Sequence, residues 1–386
     1  MNQIADMLKR NSLLLALVFV MILFEVTIRM TGHGSMFSPS NFTNIISQNS
    51  YVIVLAVGML FCIIACGNID LSVGSIVCLI GAIAGTLIVN MECDIYLSII
   101  ICLVVGILIG AWHGFWIAYV RIPSFIVTLA GMLLFRGAAL LVLNGLTISP
   151  FPSEYLRYFT SFIPAHRADA VSVTMIITVG LCLLYIAGVM LSRIKKQRKG
   201  YEVEPFSSLI FKIVIVVFAL VGSGWLLGHN KGVPVILILL VVIVSVYAFI
   251  ANETTTGRRL YALGGNEKAA KLSGVNTNRL VFLTYVNMGF LSAIAALVCV
   301  ARFNSAAPTA GTGYELDAIG ACFIGGASAY GGVGTIGGAV IGAVFMGVLN
   351  NGMSILGIDA NWQRTVKGGV LLLAVVIDVL SKKRAR

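Results

Sequence analysis

The side chains able to do chemistry in this chain are few and far apart. Three carboxylates, Asp70, Glu315 and Asp317, stand beside long apolar runs, where a charge is costly and must face water, a partner or a helix end. Asp70 and Asp317 precede or open Gly/Ala-rich helical stretches, so capping of helix starts is their expected role. Direct contact with a solute is the competing role, and proton coupling is a third. Asn49, Asn287, Asn350 and Asn351 lie in or at the edges of apolar runs. They could bond an uncharged, hydroxylated solute, or could join helices to each other. With Ser72 beside Asp70, these residues form the candidate pathway: Asn49, Asp70, Ser72, Asn287, Glu315, Asp317, Asn350 and Asn351. The eight cysteines and four histidines have no ligand spacing and read as packing or loop residues, His113 at an interfacial aromatic belt with Trp112 and Trp116. No metal and no cofactor is expected. Walker-type, His-Glu-x-x-His and Asp-rich diphosphate motifs are absent from the sequence, so the chain is not expected to be an enzyme or to hydrolyse ATP itself.

The elements that hold these residues follow from composition. The chain has 386 residues, 59% of them hydrophobic and 11% charged, with a mean hydropathy of +1.00. One soluble core could not hide that apolar surface, so the expected class is an all-α polytopic membrane protein forming a single transmembrane domain over 1–386. Runs long enough to cross a bilayer are expected near 12–30, 50–66, 72–91, 95–119, 124–144, 171–192, 209–228, 234–251, 279–301, 316–330, 335–356 and 362–381, a twelve-segment reading. The net charge of +11 is a topology signal and implies no nucleic acid. Lys9 and Arg10, the loop 193–208, the loop 252–280 and the C-terminal cluster Lys382, Lys383, Arg384 and Arg386 all fall on one side if the spans alternate. The positive-inside rule then puts both termini in the cytoplasm, with the first run kept as a span.

The loop 252–280 carries the clearest local signal. Residues 257–276 read as a polar, glycine-punctuated loop between two long apolar helices, with a capped helix inside it. Asn266 is a good N-cap, Glu267 suits the first turn, and Ser273-Gly274 can end a helix of about two turns. A short capped helix with no core of its own is expected to dock into a partner, through Gly264, Gly265, Asn266, Glu267, Ala270, Ser273 and Gly274. Two other segments match each other. The span ending near Cys66 runs into Gly67-Asn-Ile-Asp-Leu-Ser-Val-Gly-Ser75, and the span ending near Ala301 runs through Phe303-Asn-Ser-Ala-Ala-Pro-Thr-Ala-Gly-Thr-Gly313 into Tyr314-Glu-Leu-Asp-Ala-Ile-Gly320. By alternation they run in opposite directions, which predicts an inverted repeat with broken or re-entrant helices at the pathway. Gly81/Gly85, Gly106/Gly110/Gly114 and Gly338/Gly342 predict close helix contacts, and the run Gly325–Gly338 predicts a hinge or re-entrant turn.

Those segments, the Gly264–Asn276 loop, the Pro308–Ile319 segment and the Leu349-Asn-Asn-Gly-Met353 turn resemble the permease subunits of ribose- and xylose-type ABC importers over nearly the whole chain. The resemblance implies a homodimer in the bacterial inner membrane, a separate cytoplasmic ABC ATPase and an extracytoplasmic sugar-binding protein. Extra length at about 193–235 is similar to xylose-type and multiple-monosaccharide permeases, which implies xylose or a mixed pentose and hexose range. A secondary (ion-coupled) transporter or an intramembrane enzyme is the alternative; it would be expected to show a paired carboxylate or cation within a span, or a nucleophile with a base, and Arg136, Arg364 and Lys367 near helix ends read as interfacial instead.

Overall fold

A computed structural model describes residues 12–201 and 206–385. Lys9, Arg10 and Arg386, on which the topology reading partly rests, lie outside the described residues. In chain order the helices are α1 (Ser12–Met30), α2 (Pro39–Cys66), α3 (Val73–Gly85, extended by a π turn to Asn90), α4 (Ile95–Ala118), α5 (Ser124–Leu143), α6 (Ser153–Thr160), α7 (Ala170–Arg198), α8 (Phe206–Gly228), α9 (Val235–Glu253), α10 (Thr255–Gly265), α11 (Glu267–Leu272), α12 (Thr277–Phe303), α13 (Tyr314–Ile324), α14 (Ile336–Ile355) and α15 (Ala360–Ala385).

The protein is an all-α polytopic membrane protein. Ten of the described helices are long and apolar enough to cross a bilayer. Two of the twelve expected segments are not among these ten. Residues 316–330 hold most of the 11-residue α13, which ends at Ile324 and is too short to span by itself. Residues 362–381 do form a helix, α15, but one carrying Arg364 and Lys367 near its start, and it is not among the ten. The loop expected over 257–265 is also corrected: it is the helix α10, capped by Thr254, whose Oγ1 accepts from Gly257 N.

Helix ends follow local chemistry. Ser38 caps α2 with proline at its first position, and Asp94 caps α4. Gly67, with φ 67°, ends α2 in the left-handed region, and Asn304 does the same for α12. The most buried helix is α2; nearly all of it from Asn49 to Ala65 is covered. Its antiparallel neighbour α12 packs on α4 so closely that a Cβ on Gly106, Gly110 or Gly114 would strike the backbone at Gly289, Tyr285 or Phe282. That is the small-residue packing expected of apolar helices in lipid. Gly342 plays the same part against Ala321, whereas a Cβ on Gly81 would meet nothing within 4 Å.

Contacts repeat across the two halves. α2 packs on α14 as α12 packs on α4, α3 on α5 as α13 on α15, and α3 on α12 as α13 on α2. Since α2 ends where α12 begins, beside α10 and α11, equivalent helices point in opposite directions. Between the halves, α7 and α8 form a hairpin that packs mainly on itself. Its base is tied by a two-residue antiparallel pairing of β1 (Phe162–Ile163) with β2 (Val233–Pro234).

Candidate functional site

The two breaks meet inside the helix bundle. After Gly67 the chain turns back along α2, and Asp70 N comes 3.4 Å from Met59 Sδ. Met59 lies seven residues before the end of α2, about 10 Å up the helix. Asp70 is buried, and its Oδ1 accepts from Ser72 N at 2.9 Å and Ser72 Oγ at 2.6 Å. The carboxylate therefore closes the turn into α3 without bonding a helix N–H beyond Ser72, and Ser72, at the N-cap position, makes no side-chain cap bond. The second break, Asn304–Gly313, bridges to Ile148 through Ala306. Arg136, on α5, donates to Pro308 O at 3.2 Å and Ala310 O at 2.6 Å, so it anchors this break instead of sitting at an interface as expected. Gly74 and Gly311 touch through their backbones, each lacking room for a Cβ, with the Glu315 carboxylate beside Gly74.

Asp317 is not a helix cap. It is the fourth residue of α13, behind Gly313 at the N-cap, and its carboxylate faces Lys367 of α15, with Nζ 2.9 Å from Oδ1 and 3.2 Å from Oδ2. Tyr51 of α2 donates to Oδ2 at 3.3 Å. The Tyr51 ring stacks on Tyr314 with centroids 3.9 Å apart. Tyr51 is twelve residues from Pro39 and fifteen from Cys66, about 18 and 22 Å along α2, so the ion pair lies near mid-helix. Lys367 was expected at an interface and is instead the counter-ion of a buried acid. A charge held at such depth needs a partner of this kind.

The asparagines join helices. Asn49 donates to Ala343 O at 2.6 Å, linking α2 to α14. Asn351 exchanges two 2.9 Å bonds with Asn41. Asn287 accepts from Tyr247 of α9. Asn350 Oδ1 is buried without a protein partner. Leu349–Met353 lies within α14 and is not a turn. His113 is fully buried among Trp112, Phe135 and Tyr285, away from the interfacial position expected. No group of three or more His, Cys, Asp or Glu able to hold a metal occurs among the described residues.

At the end of the bundle where α2 finishes, α10 and α11 form an elbow. Asn266, extended at φ −161°, separates them and accepts from Ala269 N at 3.0 Å. Val275 N bonds Ala270 O, and Gly274 sits at φ 81°, which closes the six-residue α11. Glu267 accepts from Arg121 at 2.8 Å, and Arg121 also bonds Asn278. Ala270 is buried beneath the helix, while Leu272 is 90% exposed above it. Gly264 lies against both Ile64 O and Gly332, and Gly332 N donates to Ile64 O at 2.9 Å. Tyr261 donates to Gly334 O at 2.8 Å, and burial raises its phenol pKa. The glycine run 325–335 thus ends on α10 and on the start of the first break. Tyr51, Tyr314, Arg136 and Lys367 escaped the sequence reading because each acts across a distance in sequence that leaves no local pattern.

Comparison with known proteins agrees with this architecture. Residues 41–375 match the family described as branched-chain amino acid transport system / permease component. The xylose transport system permease protein XylH of Escherichia coli (strain K12) is 40% identical over 372 residues, 95% of this chain and 93% of that protein. XylH of Haemophilus influenzae is 38% identical, covering 96% of each chain. The ribose import permease protein RbsC of Haemophilus influenzae is 34% identical over 93% of this chain and 91% of that protein. No solved structure matches. The chain belongs to this permease family, in the ribose/xylose type of sugar ABC permeases.

Proposed function

We propose that the chain is the membrane-spanning subunit of an ATP-driven importer that moves a monosaccharide into the cytoplasm, with xylose or a mixed pentose and hexose range as cargo. Its partners in this reading are a second copy of itself, a cytoplasmic ABC ATPase and an extracytoplasmic sugar-binding protein. It sits in the inner membrane with both termini and α11 cytoplasmic. The likeness to the xylose permeases supports the cargo class. The observation that carries the coupling is Gly264 of α10, wedged between Ile64 and Gly332: a displacement of α10 and α11 would press on the end of α2, where the first break starts, and on the glycine run that follows α13.

In this scheme the ATPase grips α11 through Gly265, Asn266, Glu267, Ser273, Gly274 and the exposed Leu272, with Ala270 as the pivot. Asn49, Asp70, Ser72, Asn287, Glu315, Asp317, Asn350 and Asn351 hold the two breaks and the helices around them, and the pathway runs along those breaks, where non-helical backbone can line a wet cavity. A neutral sugar needs hydrogen bonds and no counter-ion. Among the described residues, the Asp317–Lys367 pair is a feature an ion-coupled carrier would share, but it is internally neutralised. Co-purification tests the docking. Gly265 has open space around it, so Gly265→Trp leaves the fold intact and is expected to abolish recovery of the ATPase with the permease. Undiminished recovery would remove α11 as the docking element.

A further inference from the structure

The α7–α8 hairpin between the two halves carries a feature that the proposed transport scheme does not use. The apolar stretch of α7 runs from Ala170 to Ser192, about 34 Å, and so fills a bilayer's hydrocarbon core. Directly beyond it come Arg193, Lys195, Lys196, Arg198 and Lys199. With Glu202 and Glu204 counted, 193–204 remains net positive. These cations are not spread over a convex surface. Lys195, Lys196, Lys199 and Tyr201 wall a cavity of about 480 Å³ whose floor is Gly188, Leu191 and Ser192. Ammonium groups and the Tyr201 hydroxyl stand at the rim, Ser192 lies just below them, and the lining continues into the apolar part of the helix. A Cβ on Gly188 would meet nothing within 4 Å, so this position is open to an incoming chain. Leu191 beside it is exposed.

A cavity that is cationic at headgroup level and apolar one turn deeper matches an amphiphile with an anionic head. We propose that this cavity binds the phosphate headgroup of an anionic phospholipid, with Lys195, Lys196 and Lys199 on the phosphate, Tyr201 and Ser192 as hydrogen-bond donors, and the first carbons of an acyl chain lying over Gly188. Each lysine near an anionic membrane surface strengthens binding about fivefold, so three removed together weaken it on the order of 100-fold. The site tethers a hairpin that otherwise packs mainly on itself.

Native mass spectrometry of the full-length protein, released from detergent with dioleoylphosphatidylglycerol or dioleoylphosphatidylcholine, tests the assignment. The wild type is expected to retain the anionic lipid preferentially, and K195Q/K196Q/K199Q to lose that preference. R29Q/R157Q/K231Q, with as many charges removed elsewhere in the chain, is expected to keep it. Gly188→Trp is expected to weaken retention while leaving all the lysines in place. Equal retention of the two lipids by the wild type, or unchanged preference in the triple lysine variant, overturns the site. Displacement of the lipid by millimolar inorganic phosphate, or full retention in Gly188→Trp, would show that the cavity reads a free anion and has no acyl groove.

Discussion

Replacing Lys367 with Met strips the counter-ion from Asp317 while keeping the length of the side chain. Asp317 is 1% exposed, and Tyr51 at 3.3 Å would be its remaining donor. Breaking a buried ion pair from one side costs about 3–5 kcal/mol, because a desolvated charge is left behind. The Lys367 side chain is 20% exposed and the Tyr51 bond survives, so the lower end applies, about 3 kcal/mol. Removing both charges, Asp317→Leu with Lys367→Met, leaves no orphan and should come within about 1 kcal/mol of the wild type. Asp317→Leu alone should cost about 1 kcal/mol, because the partly exposed Lys367 can reach water, so a double-mutant cycle should give a coupling of about 3 kcal/mol. Unfolding of the purified protein in mixed micelles by an anionic detergent, followed through helical circular dichroism, measures all four corners. A coupling below about 0.5 kcal/mol, or a double variant as unstable as Lys367→Met, would refute the claim that this pair fastens α15 to α13.

Other perturbations test the breaks, the packing and the orientation. Asp70→Asn should be mild, because the amide oxygen still accepts from Ser72. Asp70→Leu should cost about 2–3 kcal/mol by orphaning the buried Ser72 hydroxyl and amide, and thermal stability of the two variants separates them. If Asn abolishes uptake as fully as Leu in a folded protein, the charge itself serves transport. Gly110→Leu should lower the yield of monodisperse protein in gel filtration, since it drives α4 off α12, while Gly137→Leu, facing open space, should not. A cysteine at exposed Thr255 should resist impermeant thiol reagents in intact cells and react in inverted vesicles; labelling from outside would reverse the proposed topology.

The membrane class, most spans and the capped α11 are legible in sequence because each rests on local signals: apolar length, an Asn266 cap and a Gly274 stop. α10 was hidden by its glycines. Gly257, Gly264 and Gly265 read as loop punctuation, yet Gly257 and Gly264 are small because backbone from α9 and α2 presses on them. Thr254 as a cap, with Leu260 and Leu263 three residues apart on the buried side, was the available signal. α13 read as a span because apolar residues continue past Gly325 into an irregular segment that turns over on α14. The Asp317–Lys367 pair had no signal at all. Fifty residues separate its members, and an acid just inside a helix start looks the same whether it caps or pairs.

The central claim, that this chain passes a sugar under the control of ATP hydrolysed elsewhere, is tested most directly by uptake of radiolabelled xylose into sealed proteoliposomes. These would hold the permease with its ATPase, ATP inside and the binding protein outside. Uptake should require ATP and all three proteins, survive ionophores that collapse proton and sodium gradients, and fall to background with Gly265→Trp. Uptake by the permease alone, driven by an imposed ion gradient and indifferent to ATP, would contradict the account and turn the Asp317–Lys367 pair into the coupling site of a secondary carrier.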